Sequence, residues 1–149
     1  MAALQGRIRP ISKQVGIHTE FETELEENQS LAAERWLKEV DLNGNVVNTA
    51  NYIQVKILSD IIGGEISKTL LDQQFVKTIN EQPIIALFIS PSILRISSIF
   101  AIWKLGAAFL PIDQQMPPLR INTILKQSKA ICLITDGNEG AQLIGKVLF

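Results

Sequence analysis

The chain has 149 residues, 46% of them hydrophobic and 19% charged. With a mean hydropathy of +0.19, it suits one ordinary folded domain or a piece of a larger one and excludes disorder, collagen and coiled coil. Lys and Arg number 14 against 15 Asp and Glu, a net charge of -1 that offers no field for nucleic acid or an anionic membrane surface, and one cysteine (Cys132) with one histidine (His18) excludes a disulfide framework or a multi-Cys/His zinc site.

Residues 1–30 lack hydrophobic periodicity. They open on Arg7, Arg9 and Lys13 before any acidic residue and then switch to Glu20, Glu22, Glu24, Glu26 and Glu27, which predicts a polar, disordered arm with a solvated charge run. A basic, acid-free start is one mark of a mitochondrial transit peptide. Its single Ser in nineteen residues and its central Pro10 argue against that, and the expected location is the cytoplasm.

The folded part is expected over 31–149. Residues 31–82 read as helical, with Asp41-Leu42-Asn43-Gly44-Asn45 as a polar turn between two short elements. Thr49 is placed as the cap of a helix whose packing stripe is Ile53, Ile57 and Ile61, with Leu58 and Ile62 beside them, and Gly63-Gly64 as its end. Ile66, Leu70, Leu71, Val76 and Ile79 form a second, looser packing stripe.

From Pro83 the pattern changes. Ile84-Ile85-Ala86-Leu87-Phe88-Ile89 is apolar without alternation, as in a parallel strand buried on both faces. Ser90 is placed as a helix cap and Pro91 at the first helical position. The helix carries Ile93, Ile96, Phe100 and Trp103 as its stripe, Lys104 at its negative pole and Gly106 as its stop. Residues 107–112 form a second strand, with Pro111 at a strand end or edge. Asp113 and the turn residues 114–118 follow. Pro118 opens a helix with Ile121, Ile124 and Leu125, and residues 130–135 make a third strand. The fold class is therefore α/β: a partial layered domain with a mostly parallel sheet, βαβαβ from about residue 83, and helices before it. The apolar runs stop well short of the ~18 residues of a membrane span.

The chemical signals are few. Residues 140–146, Gly-Ala-Gln-Leu-Ile-Gly-Lys, have the spacing of a phosphate-cradling loop, but Val147 stands where Ser or Thr would hold magnesium, and too little chain follows for the helix that faces the phosphate. His18 lies in the polar arm without a spaced acidic partner. Cys132 is set in an apolar strand, where a thiol behaves as a small hydrophobe. The Glu cluster lacks the glycine and terminal ligand of a calcium loop. Asp113 follows the carboxyl end of a strand, where open α/β sheets place ligands, and is equally well placed to stabilise a turn.

Residues 103–113, Trp-Lys-Leu-Gly-Ala-Ala-Phe-Leu-Pro-Ile-Asp, closely resemble the early Lys-x-Gly-Ala-x-hydrophobic-hydrophobic-Pro-hydrophobic-Asp motif of the adenylate-forming, AMP-dependent synthetase and ligase superfamily. The strand before it, the Pro117-x-x-Arg120 after it and the strand ending at Thr135 follow the same order. The resemblance spans 83–135, and 49–64 more weakly. Gln114 replaces the Pro that often follows the Asp, and the Tyr and Glu usual at the start of the early helix are missing around Thr49.

The resemblance marks Lys104, Gly106, Pro111, Asp113, Pro117 and Arg120 as motif residues that build the sheet, and it assigns no catalytic, cofactor-binding or metal-binding role to any position. It implies an N-terminal portion of a ligase that joins ATP and a carboxylic or amino acid to an acyl-adenylate and passes the acyl group to a thiol. ATP and magnesium belong to the complete enzyme, whose phosphate loop, ribose-binding acid and mobile lysine come after the third strand. The 149 residues alone are expected to be inert. The amino-acid-activating branch is favoured by the Gly-Ala-Ala-Phe-Leu-Pro-Ile-Asp form, with acyl-CoA synthetases close behind. Expected partners are a full-length synthetase or a carrier protein. The alternative is a stand-alone, non-catalytic interaction module derived from such a domain.

Overall fold

The computed structural model describes residues 16–28, 30, 33, 35–72 and 82–137. The basic start at Arg7 to Lys13, Val76, Ile79 and the glycine-lysine pattern at 140–146 lie outside the described residues. The elements run α1 (Ile17–Glu27), β1 (Arg35–Val40), β2 (Val46–Asn51), α2 (Tyr52–Asp72), β3 (Ile84–Phe88), α3 (Ile93–Lys104), β4 (Ala108–Pro111), α4 (Pro118–Ser128) and β5 (Cys132–Thr135).

Part of the expected polar arm is ordered as α1. Its Phe21 packs on Phe100 with ring centroids 4.5 Å apart, and Phe100 meets Trp103 edge to face at 5.6 Å. Phe21 also meets Tyr52 at 5.9 Å, so one ring, by its area and ring-pair geometry, contributes much of the docking of this charged helix.

The stretch read as helical before residue 52 is instead an antiparallel hairpin, β1 paired with β2. The Asp41 turn closes it: Asp41 Oδ1 accepts from the Asn43 and Asn45 amides at 2.9 and 2.8 Å, and Gly44 takes a φ of 84°. Val40, Val46, Val47 and Thr49 are β-branched, and with a tight turn between them the extended form wins over helix. Thr49 therefore lies in β2, and the helix cap is Asn51. The Gln54 amide donates to Asn51 Oδ1 at 2.8 Å and the Asn51 amide donates back to Gln54 Oε1 at 2.9 Å, a reciprocal capping box.

Helix α2 does not end at Gly63-Gly64 but runs to Asp72. Gly63 is buried against α3, where a Cβ would lie 3.9 Å from Ala101 Cβ, so close helix packing offsets the weak propensity of glycine. The buried face of α2 is Val55, Ser59 and Ile66, backed by Ile62 and Leu70. The stripe expected to pack is the outer face: Ile53, Ile57 and Ile61 are 44%, 53% and 59% exposed.

The parallel sheet has the order β4-β3-β5, with Ala86 paired to Leu110 on one side and Leu133 on the other. The interior position read from residues 84–89 is observed. Ile85, Leu87 and Ile89 pack with Ala101, Ile102 and Ile66 on one face, and Ala86 and Phe88 pack with Ile121 and Leu125 on the other. Helices α2 and α3 thus cover one face and α4 the second. The Ile93, Ile96, Phe100 and Trp103 stripe of α3 turns away from the sheet, toward Phe21, Leu37, Ala50 and Val55, so α3 is buried on two sides and its sheet side is Leu94, Ala101 and Ile102.

Both crossover helices of the sheet end alike. After α3 the Ala107 amide bonds Ile102 O at 3.1 Å and the Gly106 amide bonds Trp103 O at 2.9 Å, with Gly106 at a φ of 67°, the six-to-one and five-to-two pattern of a left-handed cap. After α4, Ala130 and Lys129 make the same bonds to Leu125 and Lys126, but the left-handed residue is Lys129, at a φ of 54°. Ser92, not Ser90, caps α3: its Oγ accepts from the Arg95 amide at 3.2 Å. Pro91 therefore precedes the cap and does not occupy the first helical position, which is taken by Ile93.

Candidate carboxyl-edge site

At the carboxyl edge of the sheet, the connection after β3 leads to α3 on one face and the connection after β4 leads to α4 on the other. Such divergence opens a crevice where α/β sheets receive ligands. Here it is an open cleft of about 550 Å³ lined by Ser90, Arg95, Pro111, Asp113, Gln114 and Met116, among others. Arg95 also lines a second cleft of about 440 Å³ between β1 and the start of α3, where the Glu39 carboxylate accepts from the Ile93 amide.

A ring of hydrogen bonds closes the rim. The Ser90 amide donates to Asp136 Oδ2 at 2.7 Å, Ser90 Oγ donates to Gln114 Oε1 at 2.8 Å, and Gln114 Nε2 donates to Asp136 Oδ1 at 2.9 Å and to Phe88 O at 3.3 Å. Burial pushes the Asp136 acid up, but the donors from Ser90 and Gln114 outweigh it and hold the carboxyl below its ordinary value of 3.8. Ser90 Oγ donates to the neutral Gln114 amide oxygen, and the same side chain also helps hold the Asp136 carboxyl down. The rim is built to hold groups in place.

The six motif residues do not converge on it. Pro111 is the last residue of edge strand β4, and Asp113 lines the cleft while its Oδ1 accepts from the Gln115 amide at 2.9 Å, a turn-stabilising bond. Pro117 and Arg120 open α4, the Arg120 amide bonding Pro117 O at 2.9 Å. Gly106 and Lys104 lie at the far end of α3. Lys104 Nζ contacts Glu22 Oε1 at 2.7 Å and Asp60 Oδ1 at 2.6 Å and donates to Ser59 Oγ at 3.0 Å. That contact departs from the expected solvated charge run at Glu22 of α1, while Glu20, Glu26 and Glu27 are exposed as expected.

Of the other sequence candidates, His18 lies half-buried in α1. Cys132 is half-buried in β5, and burial pushes its thiol up, which suits a packing residue. Among the described residues no group of three His, Cys, Asp or Glu is placed to hold a metal ion, and no helix is long and apolar enough to cross a membrane. The rim residues that sequence reasoning does not reach are Asp136 and Gln114 in its bridging role. Neither follows a local pattern, because their partners are 22 to 46 positions away.

No family model matches the sequence. Among curated proteins, N-(5-amino-5-carboxypentanoyl)-L-cysteinyl-D-valine synthase of Penicillium rubens is 32% identical over 109 residues, 73% of this chain and 2% of that protein. A beta-alanyl-bioamine nonribosomal peptide synthetase of Schistosoma mansoni is 35% identical over 103 residues, 63% of this chain and 8% of its own length. The chain thus spans a small fraction of these relatives. Among solved structures, O-succinylbenzoate coenzyme A synthetase of Bacillus subtilis superimposes with a TM-score of 0.62 at 12% identity, over 83% of this chain and 30% of its own. The anthranilate CoA ligase AuaEII gives 0.60 at 23% identity, over 85% and 22%. At these identities the structures show the fold. With the motif at 103–113, the peptide-synthetase relatives and the shared α/β fold, the chain belongs to the adenylate-forming, AMP-dependent synthetase superfamily.

Proposed function

We propose that these residues are the opening part of the adenylation domain of an ATP-dependent ligase that activates an amino acid or related carboxylic acid for transfer to a carrier-bound thiol, and that on their own they do not turn over ATP. The observation that carries the reading is the 32% identity over 109 residues to a peptide synthetase, on a scaffold whose motif residues are used in packing, capping and ion pairing. Adenylate formation needs phosphate-binding donors, a ribose-binding acid and a cation for the developing charge. The rim residues are instead bonded to one another, which fits a supporting part of a larger enzyme. ATP with magnesium, a carrier domain and a cytoplasmic setting belong to the complete protein in this reading.

The test begins with the endogenous polypeptide, sized by immunoblot with an antibody against residues 92–113. A species several times heavier than 16.5 kDa is expected, and amino-acid-dependent ATP–pyrophosphate exchange by that species completes the test. Exchange by the 149-residue chain alone, or none by the heavy species with any amino or aryl acid, overturns the reading.

A second reading, a non-catalytic interaction module, draws on the outer face of α2, where Ile53, Ile57 and Ile61 stand in solvent. A stable 16.5 kDa endogenous species that captures a defined partner in stoichiometric amount favours it.

A further inference from the structure

We propose that Gln114 is a positioning residue of the carboxyl-edge site, joining the ends of all three parallel strands so that the Ser90 loop and the Asp136 carboxylate are held in one arrangement. What the rim is held for rests on the synthetase reading above; the bonding argument stands by itself.

Every hydrogen-bonding group of the Gln114 amide is matched. Its oxygen accepts from Ser90 Oγ at 2.8 Å, and its nitrogen donates to Asp136 Oδ1 at 2.9 Å and to Phe88 O at 3.3 Å. Phe88 O and the Asp136 carboxylate are acceptors only, so a single orientation of the amide satisfies all three. The direct bond from the Ser90 amide to Asp136 Oδ2 at 2.7 Å closes a ring that touches the ends of β3, β4 and β5. Glutamine is the residue this ring requires. Glutamate has the length but no donor when ionised, and proline, which often follows the motif aspartate in the resembling sequences, has neither donor nor reach. Ser90 and Gln114 also line the 550 Å³ cleft, so the ring sets the shape of its wall.

The test uses the 149-residue chain, isotopically labelled, with Gln114→Ala and Gln114→Glu. Two quantities are read by NMR: the titration of the Asp136 carboxyl carbon and the exchange rate of the Ser90 amide. In Gln114→Ala the Asp136 titration moves up and Ser90 exchanges about threefold to tenfold faster, the size of one lost hydrogen bond. In Gln114→Glu the neutral-pH loss is larger, because two carboxylates then face each other, and it reverses on acidification as the introduced carboxyl gains a proton to donate. A purely space-filling role gives no such reversal. An unchanged Asp136 titration and Ser90 exchange in Gln114→Ala overturns the proposal, as does a Gln114→Glu variant that behaves like alanine at every pH. If the alanine variant does not fold, Gln114→Glu is read from acid pH, where its carboxyl is protonated and can donate, and loss of Ser90 protection as the pH is raised decides alone. Neither readout involves ATP, so failure here leaves the synthetase reading standing, and failure of pyrophosphate exchange leaves this one standing.

Discussion

The Lys104 ammonium sits 2.6 Å from the Asp60 carboxylate, joining the last turn of α3 to the middle of α2. With Glu22 at 2.7 Å, one side chain ties three helices together. The motif lysine is thereby committed to the scaffold.

Removing that tie leaves Glu22 and Asp60 with Lys56 alone, at 4.0 and 2.9 Å. Lys104 is 16% exposed, against 31% for Glu22 and 46% for Asp60, so solvent screens part of the interaction. Lys104→Met is expected to lower stability by about 1–2 kcal/mol, read as an earlier urea midpoint at unchanged slope. A midpoint within error of wild type would show that the pair carries no net stability.

The same network fixes a pH dependence. Burial pushes the Asp60 acid up, but Lys104 and Lys56 more than offset it, so its folded value lies below the ordinary 3.8. A depressed carboxylate contributes stability that is present above 3.8 and is lost as pH falls through the lower folded value. The midpoint difference between wild type and Lys104→Met should therefore stay level from neutral pH down to about 5 and shrink only below the ordinary carboxylate range. A difference that shrinks already near pH ~6 points to another group.

The two left-handed caps respond in opposite senses. Gly106→Ala introduces a Cβ at a φ of 67° and should cost about 1 kcal/mol, whereas Lys129→Gly relieves one at 54° and should gain about as much. Thermal unfolding of the pair checks the sign of each.

The glycines of α2 are a further contrast. Nothing lies within 4 Å of the place a Cβ on Gly64 would take, so Gly64→Ala should stabilise by about 0.5–1 kcal/mol through helix propensity. Gly63→Leu drives a large side chain at Ala101 and should destabilise by about 1–3 kcal/mol. Equal effects at the two positions would mean that α2 and α3 do not cross at Gly63.

Exposed isoleucines should tolerate charge. Ile57→Lys is expected to change stability by no more than about 0.5 kcal/mol, while Val55→Ala, at a fully buried position, should cost about 1–3 kcal/mol. Urea titration of both variants tests which face of α2 is inward.

The sheet is legible in the sequence because its signals are local. An unbroken apolar run at residues 84–89 means two covered faces, and Pro118 and Gly106 mark a helix start and stop by backbone chemistry alone. Helix α2 is harder to read for a reason equally physical: it is apolar on both sides, so periodicity does not say which side faces in, and Ile53, Ile57 and Ile61 make the more regular pattern. Its length is hidden because two adjacent glycines usually break a helix, and only the proximity of Ala101, far along the chain, explains why Gly63 does not. The hairpin escapes a helical reading that gives its β-branched residues too little weight. The rim ring of Ser90, Gln114 and Asp136 depends on strand order, which residue spacing does not encode.

The strand order also dictates a timetable during synthesis. The central strand, β3, is made before either neighbour, so both of its hydrogen-bonding edges leave the ribosome open. Ala108 to Pro111 can close one edge only after α3 has been made, and Cys132 to Thr135 close the other only after α4. At ~5–20 residues per second the most apolar segment of the chain spends seconds half-paired. From the pairing of Pro111 until the arrival of Thr135 the nascent chain carries an open strand edge beside its most apolar run, the kind of edge that pairs with other chains.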